Sequence, residues 1–269
     1  MARILSILVG LFFTVALAWS FGVGFYTWAT EPAQPTAEHE FHEHPKHVSF
    51  SSDGPFGTFD RQQLQRGFQV YQQVCAACHA LKHVAFRDLE HIGYNEAEVK
   101  AIAAQFQIPK YDEMTGEVTT AEGTPTDYFP PVAYGGQGSP PDLSLITKAR
   151  HDGGPYVYSL LTGYQDQPAE LLEHFPDSKT PDGLYYNPYF ANLNLAMPPP
   201  LMPDMVTYSD GTKATVDQMS KDVSAFLIWS AEPTLEKRRQ TGWPILGFLL
   251  FATILGYMSY RNIWAGKKH

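Results

Sequence analysis

Length, composition and charge restrict the class of protein. The chain has 269 residues, which is enough for one large domain and additional anchoring segments. Hydrophobic residues make up 44% and charged residues 17%, a balance typical of a protein that is partly soluble and partly embedded in lipid. The formal net charge of −9 argues against a nucleic-acid-binding surface and favours a basic protein partner. Two cysteines three residues apart cannot form a framework of stabilising disulfides.

The chain begins with an apolar run at residues 4–29. A secretory signal peptide has a short apolar core and a small-residue cleavage site, and residues 16–18 offer such a site. The run nevertheless continues as far as Trp28, and it is long enough to span a bilayer. Residues 1–29 are therefore predicted to be either a cleaved signal peptide or a retained membrane helix. Both alternatives export the polypeptide that follows.

The polar segment at residues 30–53 is predicted to be a linker that contains proline. It includes four histidines, at positions 39, 42, 44 and 47. A histidine cluster can bind metal, but these histidines follow no helical or strand period and are interspersed with glutamate. This pattern favours a solvated linker.

The first amphipathic helix is predicted at residues 61–74. Asp60 and Gln63 resemble a capping box at its start. Apolar residues at i, i+4, i+7 and i+11 then form one face, from Leu64 to Cys75. This face leads directly into the cysteines.

Two further helices and long loops complete the predicted domain at residues 54–235. One helix follows Pro155, and the other begins at Thr215, where Gln218 completes a second capping box. Residues 112–142, rich in Gly, Pro and Thr, are predicted to form a long loop. Since no segment indicates an extensive sheet, the expected fold class is mainly α.

A second apolar run, at residues 243–260, has aromatic residues near both ends. Its length and basic flanks favour a membrane helix at residues 240–264 over a buried core helix. Residues 265–269 would then form a short tail.

Both cysteines belong to the pattern Cys75-Ala76-Ala77-Cys78-His79, which has the spacing of a c-type haem attachment site. Two thiols at i and i+3 on a helical turn can each add to one vinyl group of the porphyrin. The next residue then lies beneath the ring, where an imidazole nitrogen can reach the iron. The motif predicts one covalent haem, with Cys75 and Cys78 as its anchors and His79 as an axial ligand.

Two other uses of such a cysteine pair fit less well. A thioredoxin-like redox pair lies between a strand and a helix, whereas here a predicted helix precedes the cysteines. A zinc site needs further cysteines or a matched pair of histidines, and the sequence contains no other cysteine. Haem attachment is therefore the preferred interpretation.

The iron also needs a ligand on its other face, and Met197 is the first candidate. The three prolines that follow it fix the backbone, so the loop can present a thioether. Met202 and Met205 lie close behind, and any of the three can instead fill space in the core. The residues alone leave this choice open.

Together these residues resemble the cytochrome c1 family, the haem subunit of the ubiquinol–cytochrome c reductase (cytochrome bc1) complex. Residues 66–75 (RGFQVYQQVC), which run into Cys78 and His79, are similar to the haem-binding helix of that family. The resemblance extends over about residues 54–264. Its further motifs lie at residues 127–130, 140–144, 148–151, 156–164, 186–190, 197–199, 210–212, 221–223 and 229–233.

The resemblance implies a complete haem site. His79 and Met197 would be the axial pair, and Arg150 matches an arginine that hydrogen-bonds a haem propionate. A buried carboxylate needs such a paired cation, whereas the alternative for Arg150 is an ordinary surface salt bridge. Some bacterial members of the family carry a second cysteine pair, which this chain lacks.

The resemblance also implies a function and a location. The family passes electrons from the Rieske iron–sulfur protein to cytochrome c, within a dimeric complex that includes cytochrome b. The isolated chain is therefore expected to carry electrons rather than to act as an enzyme. Its tail would lie in the cytoplasm, which places the haem domain on the periplasmic side of a bacterial inner membrane.

Two other functions share the attachment motif. A tethered electron carrier or an oxidase haem subunit would have similar ligation, whereas a haem peroxidase-like enzyme would keep an open iron position. Ligation of the iron by both His and Met would exclude the enzyme. The motifs beyond Cys-x-x-Cys-His favour cytochrome c1.

The attachment motif generates a direct prediction. Variants with Cys75→Ser or Cys78→Ser should carry little or no correctly attached haem, because each thioether needs its own thiol. Haem staining of denatured protein and the haemochrome spectrum measure the outcome. An unchanged yield and spectrum in both variants would contradict covalent attachment through this pair.

Overall fold

The structure is a computed structural model that describes residues 2–31, 35–111, 116–136 and 138–267. Its fold is mainly helical, as the sequence predicts. The chain divides into two compact units, one of Met1–His42 with Pro168–Lys179 and one of Glu43–Gln167 with Thr180–His269. The α-helices in chain order are α1 (Ala2–Thr30), α2 (Ala37–Phe41), α3 (Arg61–Gln73), α4 (Glu96–Ala103), α5 (Ile146–Ala149), α6 (Gly153–Leu161), α7 (Ala169–His174), α8 (Val216–Ala231) and α9 (Leu235–Trp264).

Short elements complete the list. Strands β1 (Gln107–Tyr111) and β2 (Val118–Glu122) form one antiparallel pair, and strands β3 (Tyr185–Tyr186) and β4 (Asn194–Leu195) form another. Short 3₁₀-helices lie at Cys75–Ala77, Phe86–Ile92 and Pro176–Ser178. The expectation of no extensive sheet is thus met over the residues that the structure describes.

The first unit contains α1, α2 and α7. Every described side chain of α1 is exposed, as expected of an apolar run that has no protein packed around it. Helix α2 lies within the predicted linker and is capped by Thr36, whose hydroxyl accepts a hydrogen bond from the His39 amide at 3.3 Å. Phe41 and Phe175 meet edge to face, 6.3 Å apart. A local cap and an aromatic contact stabilise this short helix, which the sequence analysis of the segment did not predict.

In the second unit, α3 crosses α8 at close range. As predicted, Leu64, Phe68 and Tyr71 on one face of α3 are buried, and they belong to the same core as Phe226 of α8. Gly67 marks the crossing, since a Cβ there would lie 2.1 Å from the Asp222 carbonyl oxygen. Only glycine allows the two backbones to approach this closely.

A buried carboxylate joins these two helices. The Asp222 side chain is fully buried in α8 and accepts hydrogen bonds from Arg66 Nε at 2.9 Å and from Gln63 Nε2 at 3.2 Å, both on α3. Gln218 Nε2 donates to it as well, at 2.9 Å. Arg66 also pairs with Asp210 at 2.8 Å. The charge of Asp222 is therefore matched by a cation and two amides.

This carboxylate also explains why the predicted capping boxes are only half formed. The side chains of Asp60 and Thr215 do accept hydrogen bonds from backbone amides of the first turn. The reciprocal bonds, which the backbone amides of Asp60 and Thr215 would donate to the side-chain oxygens of Gln63 and Gln218, are absent, since both glutamine side chains turn to Asp222 and donate to it. The Asp60 amide donates to the Ser51 hydroxyl at 3.1 Å instead, and the Thr215 amide donates to the Lys213 carbonyl at 3.0 Å. A buried carboxylate binds a glutamine side chain more strongly than an exposed backbone donor does.

The predicted long loop at 112–142 was wrong in part. Residues 112–115 and 137 lie outside the described residues, but β2 within this range pairs with β1 in a hairpin. All five β2 residues are exposed. The strand therefore lacks the alternation of buried apolar and exposed polar residues by which a sequence predicts a strand. Its backbone hydrogen bonds and an ion pair between Lys110 and Asp127 hold the hairpin in place.

Within the described residues two helices, α1 and α9, are long and apolar enough to cross a membrane. Helix α9 is longer than the predicted span because it begins at Leu235, directly after the break at Glu232 and Pro233. That break between α8 and α9 agrees with the sequence prediction.

The Asp222 cluster leads to a stability prediction. Replacement of Asp222 by Ala should lower the free energy of unfolding by about 1–3 kcal/mol, because it removes the buried acceptor of Arg66, Gln63 and Gln218. Chemical unfolding of the detergent-solubilised holoprotein measures the change. Asp210→Ala is the matched control, since Asp210 contacts the same arginine from the surface. Equal losses in the two variants would refute the special role of the buried carboxylate.

Candidate functional site

The Cys-x-x-Cys-His segment forms a tight turn at the C-terminal end of α3. The carbonyl oxygen of Cys75 accepts hydrogen bonds from the amides of Cys78 at 3.1 Å and of His79 at 2.8 Å. Tyr71, which is buried in α3, donates its hydroxyl to the His79 carbonyl at 3.0 Å. The structure thus brings Cys75, Cys78 and His79 together on one turn that is fixed to the helix before it.

The imidazole of His79 is oriented by a backbone carbonyl. Its Nδ1 lies 2.8 Å from the carbonyl oxygen of Pro141. A carbonyl only accepts hydrogen bonds, so Nδ1 must carry the proton, and the lone pair of the neutral ring is on Nε2. This second hydrogen bond, which fixes both tautomer and ring orientation, is the usual arrangement of a histidine that ligates a metal.

The segment that provides this carbonyl runs alongside the turn. The Leu143 amide donates to the Ala80 carbonyl at 2.9 Å. The Lys82 amide donates to the Asp142 carboxylate at 2.9 Å, and the His83 amide donates to the Ser144 hydroxyl at 3.1 Å. The position of Pro141 relative to His79 is therefore set by several bonds rather than by one.

The two thiols are free and partly buried. Burial raises the pKa of the Cys75 thiol to about 12, and the neighbouring Cys78 adds to the rise. A redox-active cysteine needs a lowered pKa, because the thiolate is the reactive form. The raised pKa therefore argues against the thioredoxin-like alternative.

Met197 is the best protected of the three methionines in its loop. It is partly buried, whereas Met202 and Met205 are 62% and 45% exposed. The Tyr164 hydroxyl donates to the Met197 carbonyl at 3.1 Å. This bond ties the methionine backbone to the segment that follows α6.

Arg150 lies directly after α5 and is exposed. It donates to the carbonyl of Ala149 at 3.2 Å. Burial raises the pKa of Tyr156, and the positive charge of Arg150 opposes that rise. Among the described residues Arg150 forms no ion pair, so the surface salt bridge considered for it is absent there.

The predicted site residues thus fall into two groups. Cys75, Cys78 and His79 follow α3, whereas Arg150 and the Tyr164 bond to Met197 flank α6 on its two sides. No hydrogen bond joins the two groups within the described part of the chain. Both α3 and α6 pack against α8, which therefore holds the two groups in one framework.

Comparison with known proteins connects this site to a family. The Cytochrome C1 family matches residues 50–267. Cytochrome c1 of Rhodospirillum rubrum is 42% identical over 237 residues, which cover 82% of this chain and 87% of that protein. Cytochrome c1 of Cereibacter sphaeroides is 43% identical over 263 residues, covering 84% and 88%. The chain belongs to the cytochrome c1 family.

A third relative differs in length. The protein named cytochrome b/c1 of Bradyrhizobium diazoefficiens is 40% identical over 255 residues, which cover 86% of this chain but 37% of that protein. Cytochrome c1 is the haem subunit of the bc1 complex, so membership of the family implies a haem cofactor and an electron-transport role. The two membrane-length helices fit a membrane location.

Sequence reasoning missed two residues of this cytochrome c1 site. The Pro141 carbonyl lies 62 residues from the histidine it contacts, and backbone atoms carry no residue-type signal. Tyr164 lies within the motif at residues 156–164, which by itself does not indicate a contact with Met197. Its hydroxyl contact with Met197 spans 33 residues and becomes evident only in the folded chain.

The Tyr164 contact generates a prediction. Tyr164→Phe should lower the free energy of unfolding by about 0.5–1.5 kcal/mol, because the Met197 carbonyl loses its donor. Denaturant titration of the holoprotein measures the difference. Tyr185→Phe is the control, since Tyr185 is 40% exposed and its hydroxyl has no hydrogen bond within the described residues. If both variants lose equal stability, the hydrogen bond is not the cause.

Proposed function

We propose that this chain is a membrane-anchored monohaem c-type cytochrome that passes electrons from the Rieske iron–sulfur protein to cytochrome c. The observation that carries the proposal is the Cys-x-x-Cys-His turn, with the imidazole of His79 fixed by the Pro141 carbonyl, in a chain of the cytochrome c1 family. As a subunit, the chain contributes electron transfer to an oxidoreductase complex and performs no bond chemistry itself.

The donor set fits one covalent haem c. Cys75 and Cys78 are free thiols on one turn and would form the two thioethers. His79, with Nδ1 already engaged, would ligate the iron through Nε2. Met197 would provide the thioether sulfur on the other face. Arg150, exposed and without an ion pair among the described residues, would bind a propionate.

When bound, the haem supplies a one-electron couple between ferric and ferrous iron. The protein residues set its potential and its position. Ligation by Met and His stabilises the reduced state and raises the potential, which suits an acceptor late in a quinol-driven chain. The hydrogen bonds at the His79 imidazole and at the Met197 carbonyl would hold the two ligand residues in place as the charge of a bound iron changes.

The proposed arrangement places a periplasmic haem domain at residues 54–235 and an anchor helix at residues 240–264. A bacterial inner membrane fits the bacterial relatives and the two apolar helices. Cytochrome b is a natural partner, since one relative is named cytochrome b/c1. The net charge of −9 favours a basic cytochrome c as the electron acceptor. A dimeric bc1 complex completes the assembly.

The ligand assignment predicts a change in potential. Met197→Leu keeps nearly the same side-chain volume, so the fold should survive, but it removes the thioether. The iron should become five-coordinate or recruit water, His or Lys, each of which favours ferric iron more strongly. The midpoint potential should therefore fall, and quinol turnover should stop in an assembled complex. Redox titration and the thioether charge-transfer band measure these outcomes.

Two matched controls make this test specific. Met202→Leu and Met205→Leu alter exposed methionines of the same loop and should change the potential little. If Met202→Leu loses the band and Met197→Leu keeps it, the ligand assignment is wrong while the family stands. If none of the three variants matters, the iron is not ligated from this loop, and a haem enzyme with an open site becomes the better hypothesis.

The partners require a separate experiment. The chain should purify from membranes with cytochrome b and the Rieske protein, and the reduced complex should transfer electrons to cytochrome c. Subunit identification by mass spectrometry and stopped-flow haem kinetics measure the two properties. Isolation with oxidase subunits instead would favour the alternative of an oxidase haem subunit.

A further inference from the structure

The first turns of α9 hold a loop of the haem domain. We call residues 52–61 the interfacial loop. Glu236, Arg239 and Trp243 stand at i, i+3 and i+7 on α9, so they share one face of the helix. Each of these three side chains contacts the interfacial loop.

Glu236 and Arg239 bind the two ends of the loop. The Glu236 carboxylate accepts hydrogen bonds from both terminal nitrogens of Arg61, at 3.0 and 2.6 Å, and from the Phe59 amide at 2.7 Å. Arg239 donates to the carbonyl oxygens of Ser52 at 2.9 Å and of Gly57 at 2.7 Å. The backbone of the loop is therefore fixed to α9 at several points.

The loop is also closed by its own bonds. The Thr58 amide donates to the Ser51 carbonyl at 3.0 Å, and the Asp53 carboxylate accepts from the Phe50 amide at 2.7 Å. Gly57 has no room for a side chain, because a Cβ would lie 2.1 Å from the Asp53 carbonyl oxygen. The tip of the loop thus has a defined conformation, and the orientation of Phe56 follows from it.

Phe56 at this tip is 77% exposed although it is a large apolar residue. Its ring stacks on Trp243, with 5.3 Å between the centroids and 19° between the planes. Trp243 itself is 48% exposed. Two stacked aromatic side chains held outward by a closed loop indicate that something apolar covers them.

The position of Trp243 along α9 indicates what covers the pair. Residues 240–260 carry no charge, and 21 helical residues span about 30 Å, the thickness of the hydrocarbon core of a bilayer. Arg239 is the last charged residue before this stretch. Trp243 lies one turn inside it, at the depth where Trp residues concentrate in membrane proteins. Phe56 must share that depth because its ring contacts Trp243.

We propose that Phe56 and the tip of the interfacial loop insert into the lipid interface beside Trp243, so that the haem domain contacts the bilayer directly. The occupant of this apolar surface is phospholipid at the boundary between headgroups and acyl chains. Transfer of an aromatic side chain from water to this boundary is favourable in free energy, and it does not require the domain to cross the membrane. Together with Glu236 and Arg239, this contact fixes the height of the haem domain above the membrane.

Spin labelling of the full-length holoprotein tests the proposal. The new thiol of Phe56→Cys would be the only free one, since Cys75 and Cys78 are consumed by the thioethers of the proposed function. Pro55→Cys provides a second site that keeps the phenyl ring. Tyr111→Cys, at an exposed position of strand β1, is the aqueous control, and Ala252→Cys within α9 is the lipid control.

The labelled proteins are reconstituted in phosphatidylcholine vesicles, and power saturation compares collisions with oxygen and with a polar nickel complex. Labels at 55 and 56 should show an oxygen-to-nickel collision ratio several-fold above that at 111. If the ratio at positions 55 and 56 equals that at 111 while the ratio at 252 is high, as in lipid, the proposal is overturned but the proposed electron-transfer role is left intact. If the ratio at 252 is also as low as that at 111, the membrane span is overturned, and the proposal with it.

A protein partner would give a different result. The same labels are measured in the complex purified in native lipid, with the spectrum of unsubstituted complex subtracted. Retention of the high oxygen-to-nickel ratio supports contact with lipid. Protection of positions 55 and 56 from both reagents would show that another subunit covers this surface, and would overturn the proposal.

Discussion

The buried carboxylate of Asp222 is the interaction on which the position of the Cys-x-x-Cys-His turn depends. A full charge inside a helix pair is tolerated only when cations and amides surround it, and here Arg66, Gln63 and Gln218 do so. These bonds fix the contact between α3 and α8 at the point where Gly67 permits close approach. Since the cysteine turn begins at the end of α3, the same bonds determine where the proposed haem attachment lies.

Around the proposed iron position, backbone atoms matter as much as side chains. The Pro141 carbonyl orients His79, and the Tyr164 hydroxyl holds the carbonyl of Met197. An electron carrier benefits from ligands that move little between oxidation states, because reorganisation of its surroundings opposes transfer. Oriented second partners of this kind fix ligand geometry at metal sites generally.

Anchoring at the membrane follows the same logic. The helical conformation is interrupted between α8 and α9. Glu232 at this interruption pairs with Lys148 at 2.6 Å and with Arg238. Glu236 and Arg239 then bind the loop that precedes α3. The helix that enters the membrane is therefore joined to the domain through side chains of two segments, and not only through the peptide chain.

Sequence alone determined the local features. The caps at Asp60 and Thr215, the buried stripe of α3, the break at Pro233 and the attachment motif all depend on residues close together in the chain, where helical spacing is a reliable guide. The capping box of Asn95 and Glu98, which starts α4, is a local feature of the same kind. Only the tertiary structure decided the partners of Asp222, the carbonyl that orients His79, the exposed hairpin and the stacking of Phe56 on Trp243. Each of these contacts either joins segments distant in sequence or is made by backbone atoms. Contacts of both kinds produce no periodic pattern of side chains in the sequence.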